Sequence, residues 1–194
     1  MILYIKNMVC NRCIVFIKTE LKQLGYHNAK VSLGEIDFAE AILSDEDIKK
    51  LNETMLPHGF EIIGDKINKL VEKIKLIVIE EIHYGTQKRN TNFSALISNK
   101  LNKDYGHLSS MFSEREGLTI EQFIILQKIE KVKELLVYDE LNLNEIAEEL
   151  DYSSSSHLST QFKKVTGLTP TFYKQLKGEK RVAIDKVKTN NYID

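Results

Sequence analysis

Apolar residues follow two different rhythms along this chain. From Met1 to about Gly64 they form short runs separated by helical stripes. Ile2, Leu3 and Ile5 predict a strand. Ile14, Ile17, Leu21 and Leu24, with Phe16 beside them, predict a helix that ends at Gly25. Ala29 to Leu33 and Ile36 to Ile42 predict two strands joined at Gly34-Glu35. Ser44-Asp45-Glu46-Asp47 has the form of a capping box, and Ile48, Leu51 and Met55 continue that helix. Pro57 and Gly59 break it, and Phe60 to Ile63 predicts a last strand. Ile5, Ile17, Leu21, Val31, Ile48 and Leu51 are the expected core.

The order βαββαβ is the ferredoxin-like, split βαβ arrangement. Beyond it the pattern is helical throughout. Ile67, Leu70, Val71, Ile74, Ile77 and Val78 form a stripe that Leu76, Ile79 and Ile82 widen. So broad an apolar surface must be covered, within the chain or by a second copy. A homodimer through the 65–84 helix is therefore an expectation. GTQKRNTN, from Gly85 to Asn92, reads as a linker. Thr119 to Leu136 predicts a long helix with core contacts at Phe123, Ile124, Leu126, Ile129, Val132, Leu135 and Leu136. The expected fold class is α+β. A ferredoxin-like domain over 1–64 is followed by a connecting helix and linker over 65–90. An all-α domain with two helix-turn-helix units occupies 91–178, and 179–194 is a loose tail.

The segment from Leu143 to Thr169 carries the clearest local pattern. Leu143, Ile146, Ala147 and Leu150 line one helix, with Asn142 as its N-cap. Asp151 to Ser153 interrupts the period. Leu158, Phe162 and Val165 line a second helix that Gly167 terminates. Two short helices joined by a tight turn make a helix-turn-helix. Ser156, Thr160 and Lys163 lie opposite Leu158 and Phe162, with His157 and Lys164 flanking them. Small hydroxyls let a helix approach base edges and phosphates, and lysines neutralise phosphates.

The pattern occurs twice. Leu108-Ser109-Ser110-Met111-Phe112, running on to Gly117-Leu118-Thr119, returns fifty residues later as Leu158-Ser159-Thr160-Gln161-Phe162 with Gly167-Leu168-Thr169. Ser94, Ile97, Ser98 and Leu101 match Leu143, Ile146, Ala147 and Leu150 at a spacing one residue shorter. The two copies therefore differ by one residue in the turn.

Two such units joined by a long helix resemble the DNA-binding domain of AraC/XylS-type transcription regulators. Ile146-Ala147, Phe162-Lys163-Lys164, Gly167, Thr169-Pro170 and Tyr173 carry the resemblance most specifically, and it covers roughly Thr91 to Lys177. It implies duplex DNA as partner and two recognition helices in successive major grooves. The DNA-facing candidates are Ser154, Ser155, Ser156, His157, Ser159, Thr160, Lys163 and Lys164 in the second unit. In the first they are Gly106, His107, Ser109 and Ser110. Lys128, early in the connecting helix, is the expected phosphate ligand there. The first unit departs from the pattern, because Ser113 and Glu114 stand where the second has Lys163-Lys164. Neither recognition helix offers an arginine to its base-reading face, so bidentate guanine readout is absent.

The 194 residues, 42% hydrophobic and 28% charged, are globular in composition. The net charge of −1 is a mild argument against nucleic acid, but its distribution is uneven. Lys163, Lys164, Lys174, Lys177, Lys180 and Arg181 face only Glu179 at one end, whereas Asp139 to Asp151 carries six acids and no base. No apolar run is long enough to span a bilayer and no leader pattern opens the chain, which predicts a cytoplasmic protein with no membrane partner.

Cys10 and Cys13 are the only cysteines. They lie where the first strand turns into the first helix. Met8-x-Cys10-x-x-Cys13 in that loop, with Gly59-Phe60 before the last strand, resembles the heavy-metal-associated domain of copper chaperones and metal-pump N-termini. Two thiolates at a helix N-terminus, near Arg12, can converge on one soft ion. They suit Cu(I), or Zn(II) if further ligands arrive, and His58 is the candidate third ligand. Met8 reads as a core residue. No catalytic constellation is visible, so the chain reads as a non-enzyme. The leading expectation is a DNA-binding transcription regulator that responds to metal. The alternative is a metal carrier whose C-terminal helices are a protein-interaction module.

Overall fold

The computed structural model describes residues 1–39, 41–64, 66–85 and 92–176. Residues 86–91 of the expected Gly85–Asn92 linker, the tail at 179–194 and the basic residues Lys177, Lys180 and Arg181 lie outside them. The chain divides into two compact units, Met1–Ile77 and the residues from Val78 onward.

The first unit is a small antiparallel sheet with helices. Its elements run β1 (Ile2–Lys6), α1 (Asn11–Gln23), β2 (Lys30–Ser32), β3 (Glu35–Asp37), α2 (Asp45–Met55) and β4 (Glu61–Ile63). The strand order is β2-β3-β1-β4. In the register, Leu3 pairs with Ile36 and Ile5 with Ile62. These side chains share one face, where they meet Ile17 and Leu21 of α1 and Leu51 and Met55 of α2. Val31 and Ile48 pack against that core and are only partly buried, whereas Met8 is fully enclosed by it.

Local chemistry explains the boundaries. Ser44 and Asp47 form the full capping box that starts α2. Strand β3 stops at Asp37, well short of Ile42. The Asp37 carboxylate accepts the Ala39 N–H at 2.9 Å, and Ala39 takes a left-handed φ of 52°. That side-chain bond competes with the ladder and turns the chain away, leaving Ile42 94% exposed.

A third helix, α3 (Lys66–Ile79), covers part of the sheet's other face. Tyr4 points to that face by alternation, and Lys69 and Lys73 sit 4.7 Å and 4.9 Å from its ring centroid. Lys73 also pairs with Glu35 at 2.9 Å, which pushes the lysine pKa up. Gly34, in the turn between β2 and β3, has φ +75°, and a Cβ there would lie 2.5 Å from Leu76 Cδ1. The left-handed φ favours glycine there, and a larger residue would also have to push the Leu76 methyl aside. Within the apolar stripe Val71, Ile74, Ile77, Val78, Ile79 and Ile82 are buried, Leu70 and Leu76 are half-buried, and Ile67 is exposed.

The second unit begins where α3 ends. Residues Glu80–Tyr84 form a π-helical turn. Then come α4 (Phe93–Leu101), α5 (Tyr105–Glu116), α6 (Ile120–Tyr138), α7 (Leu143–Glu149), α8 (Ser155–Thr166) and α9 (Pro170–Gln175). Helix α6 is central and packs against the π-helical turn, α5, α8 and α9. No helix among the described residues is long and apolar enough to cross a membrane.

Because α6 has neighbours on several sides, polar residues are enclosed with the apolar ones. Gln127, Glu130 and Lys133 are buried, whereas Ile124 and Leu135 are only half-buried. Lys133 pairs with Glu130 at 3.0 Å, and Gln127 Oε1 lies 2.9 Å from His83 Nε2. Each buried polar group thus meets a partner, as burial requires. Elsewhere in the unit that rule is not met everywhere: the buried Nδ1 of His83 and the buried hydroxyl of Tyr152 have no hydrogen-bond partner among the described residues. Burial holds the His83 pKa below its ordinary 6.5, and the Lys131 charge acts the same way, against the Gln127 bond and the Glu134 and Glu130 charges.

This depressed pKa has a definite sign. Below 6.5 the unfolded chain takes up a proton that folded His83 refuses, so stability falls as pH drops from 6.5 towards the folded pKa and is flat above it. In denaturant titrations between pH 5 and pH 8, His83→Gln should therefore show a shallower acid-side loss than wild type. Parallel profiles would mean that His83 titrates as it does in the unfolded chain.

Candidate nucleic-acid interface

The repeat in the sequence is a repeat in backbone geometry. Helix α4 ends at Asn102, in the left-handed region with φ 50°, and α7 is followed by Asp151 with φ 54°. Asparagine and aspartate are the non-glycine residues that tolerate this conformation. The next N–H closes each turn back onto its helix, Lys103 to the Ser98 carbonyl at 3.2 Å and Tyr152 to the Ala147 carbonyl at 2.8 Å. Asp104 then caps α5 by accepting the His107 N–H, and Ser154 caps α8 by accepting the His157 N–H. The one-residue difference falls between the left-handed residue and the cap. Lys103 stands alone there, whereas the second turn has Tyr152 and Ser153.

Downstream the copies coincide again. Leu108 and Leu158 are fully buried, as are Phe112 and Phe162. Gly117 and Gly167 end their helices with φ 72° and 75°. Thr119 and Thr169 cap the helices that follow. The match continues one turn further than the motif suggested. Phe112 tilts against Phe123 at 5.7 Å, and Phe162 meets Tyr173 edge-on at 5.5 Å. Helix α9 is therefore the second copy's counterpart of the start of α6. Each recognition helix is pinned by an aromatic pair beneath it, worth about 1 kcal/mol beyond its buried area.

The candidates on α8 divide by exposure. Ser154, Ser156, His157, Thr160, Lys163 and Lys164 are exposed, whereas Ser155 and Ser159 are half-buried. Thr160 donates its hydroxyl to the Ser156 carbonyl at 2.9 Å and Ser159 donates to Ser155 at 2.8 Å. Both hydroxyls consequently turn lone pairs outward. Lys163 and Lys164 occupy the last turn, where the helix dipole favours cations. On α5, Gly106, His107 and Ser110 are exposed at the equivalent positions and Ser109 is half-buried. Glu114 is exposed and Ser113 half-buried, so this face carries no lysine pair.

Lys128, the expected phosphate ligand of the connecting helix, is half-buried on α6. Its ammonium donates to the Leu150 carbonyl at the end of α7, and it lies 5.2 Å from the Tyr152 ring centroid. Sequence reasoning missed Tyr152 altogether. Its only signal was its position at the one-residue insertion.

The thiols sit in the other unit. Cys10 is the N-cap residue of α1, and its Sγ lies 3.4 Å from Cys13 Sγ. Asn7, with φ 67°, donates to the Gly59 carbonyl at 2.8 Å and ties this loop to the one before β4. Burial pushes the Cys10 pKa up, but hydrogen bonds from Cys13 and Arg12 outweigh it and the net shift is downward. Cys13 moves up, through burial and the neighbouring sulfur. The two sulfurs thus shift in opposite directions, with Cys10 the more readily ionised. His58, the candidate third ligand, is exposed and packs on Phe16 with ring centroids 4.5 Å apart. Among the described residues no group of three His, Cys, Asp or Glu side chains is placed to hold a metal, so His58 is not gathered with the sulfurs.

The pKa order is directly testable. Cys10 should react with iodoacetamide several-fold faster than Cys13 near neutral pH, because thiolate is the nucleophile. Peptide mapping after brief alkylation reads the ratio, and equal labelling would overturn the assignment.

Comparison with known proteins places the helical region. Residues 97–176 match the family described as Helix-turn-helix domain. The chain is 30% identical over 117 residues to an uncharacterized HTH-type transcriptional regulator, YtdP, of Bacillus subtilis, covering 58% of this chain and 15% of that protein. It is 34% identical over 73 residues to the xylose operon regulatory protein of Escherichia coli, covering 38% and 19%. The chain thus spans less than a fifth of the length of these relatives. The solved C-terminal domain of AraT, a response regulator from Geobacillus stearothermophilus, superposes with a TM-score of 0.49 at 23% identity, over 61% of this chain and 92% of that one.

Proposed function

We propose that this chain, whose C-terminal region is an AraC-type helix-turn-helix domain, is a sequence-specific DNA-binding transcription regulator. The observation that carries the reading is the duplicated cap-helix-glycine-cap geometry, which presents one face of α5 and one of α8. The two faces divide the work. Helix α8 offers lysines for phosphates at its end and hydroxyl oxygens along its exposed face. Those oxygens are suited to donors on base edges, such as the adenine and cytosine amino groups. Helix α5 has the same shape with Ser113 and Glu114 in place of the lysine pair, so its contribution is shape and backbone contact more than charge. A chain that neutralises few phosphates binds weakly, and the slope of its salt dependence is shallow in proportion to their number.

The test is the salt dependence of duplex binding. Replacing Lys163 and Lys164 together by Ala should reduce the slope of log affinity against log salt by about one to two units. An unchanged slope and affinity would take α8 out of the interface.

The N-terminal unit supports a second reading, as the part that responds to a signal. Its βαββαβ element order and its β2-β3-β1-β4 sheet support reading it as a ferredoxin-like domain. The close sulfur pair of Cys10 and Cys13 fits a soft ion held by two thiolates. Two sulfurs without a third ligand suit Cu(I) better than Zn(II), which takes four ligands in structural sites. A bound Cu(I) would supply a charge-neutralising link between the loop and α1. Either Cys→Ser variant of the full chain should lose one equivalent of Cu(I) in competition titration, with little change in thermal stability, because neither side chain belongs to the fully buried core. Equal copper affinity in wild type and the double-Ser variant would leave this unit without a thiol metal site.

A further inference from the structure

We infer that Lys128 and Tyr152 form a brace that sets the second recognition helix for base reading, and that Lys128 acts through this brace and not as a phosphate ligand. The inference rests on the DNA-binding reading above. It starts from the one residue by which the two turns differ.

In the first turn a single residue, Lys103, separates the left-handed Asn102 from the cap Asp104, and Lys103 is exposed. In the second turn the extra residue lets Tyr152 point inward, where it is half-buried, while Ser153 stays outside. The Tyr152 ring then touches two elements at once. On one side is the Lys128 ammonium of α6, 5.2 Å from the ring centroid. The other contact is the ring of His157, in the first turn of α8, edge-on at 5.4 Å and 84°. His157 is held again by its own Nδ1, 3.0 Å from Ser153 Oγ, and by its N–H on the Ser154 cap. The same ammonium donates to the Leu150 carbonyl, one of the acceptors that the end of α7 leaves open.

One cation therefore ties α6 to the end of α7 and, through Tyr152, to the start of α8. The chemistry suits a positioning role. A lysine that faces a ring and a helix-end carbonyl has exchanged water for protein partners. It contributes less to counterion release than an ammonium free to meet phosphate. What it controls is the seat of Ser156 and Thr160, in the first and second turns of the helix. Base contacts depend on sub-ångström placement, whereas phosphate contacts orient the protein without reading sequence. The first unit has Lys103 in place of this tyrosine, so α5 lacks the brace and α8 is the helix held for discrimination.

The experiment compares two duplexes of equal length, one selected by the full wild-type chain from a random pool and one of unselected sequence, across a salt series. Lys128→Met should lower affinity for the selected duplex about three- to tenfold, leave unselected binding nearly unchanged and keep the salt slope. That loss matches one hydrogen bond and one cation–ring contact. Tyr152→Leu, which keeps apolar volume and removes the ring, should do the same and carries the test if Lys128→Met does not fold. Lys128→Arg should restore most of the discrimination, since a guanidinium can face the ring and donate to the carbonyl. A slope reduced by about one unit, with both duplexes weakened equally, would make Lys128 a phosphate ligand and overturn the brace. Wild type that binds neither duplex in a salt-dependent way would instead overturn the DNA-binding reading itself.

Discussion

Helix α6 is the constraint on which the second unit depends. It must close the first helix-turn-helix at one end and support the second at the other. Its N-terminus begins at the Thr119 cap and presents Phe123 to Phe112. Further along, Lys128 reaches the end of α7, and α9 packs alongside. A helix with so many neighbours cannot keep a polar face in water. Gln127, Glu130 and Lys133 are enclosed and satisfied by one another, by His83 or by nearby rings. Such enclosed polar groups add little net stability, and breaking one partner from its mate is costly. Their placement ties the packing around α6 to a single arrangement of partners.

The duplicated units show how the same local chemistry yields two differently equipped surfaces. Caps, buried leucine and phenylalanine, the left-handed glycine and the threonine cap recur with almost identical burial. These positions make the backbone. The outward positions are free of that demand, and there the copies diverge: Ser113-Glu114 against Lys163-Lys164, Gly106 against Ser156. The turn diverges as well, by a residue that gives Tyr152 a place to pack.

In the N-terminal unit the governing economy is two-sided use of a short sheet. Leu3, Ile5 and Ile36 supply the core under α1 and α2. Tyr4 and Glu35, on the opposite face, receive lysines from α3. The Lys73–Glu35 pair is about one-third exposed, so its contribution is modest, on the order of 1 kcal/mol or less. The cysteine loop is fastened separately, by Asn7 onto Gly59. Its geometry is therefore set by that tie between two loops together with Met8, which anchors the loop in the core.

What the sequence determined by itself was everything governed by short range. The capping box at Ser44, the N-caps, the helix-ending glycines and the repeat with its displaced residue are all written in neighbouring side chains, whose bonds form within one turn. The helical stripes of Leu158 and Phe162 were equally legible, because amphipathic period and burial agree there. Tertiary structure alone decided the rest. Nothing local distinguishes the buried Glu130 and Lys133 from a solvated charged pair, since their burial depends on helices distant in the chain. The partners Lys128 meets, the Leu150 carbonyl and the Tyr152 ring, come from the end of α7 and the turn after it, beyond the reach of its own neighbours in sequence. His58 stood near the thiols in the expected loop order, yet its ring found Phe16. In each case a long polar or aromatic side chain had several partners within reach, and only the packed arrangement of distant segments selected one.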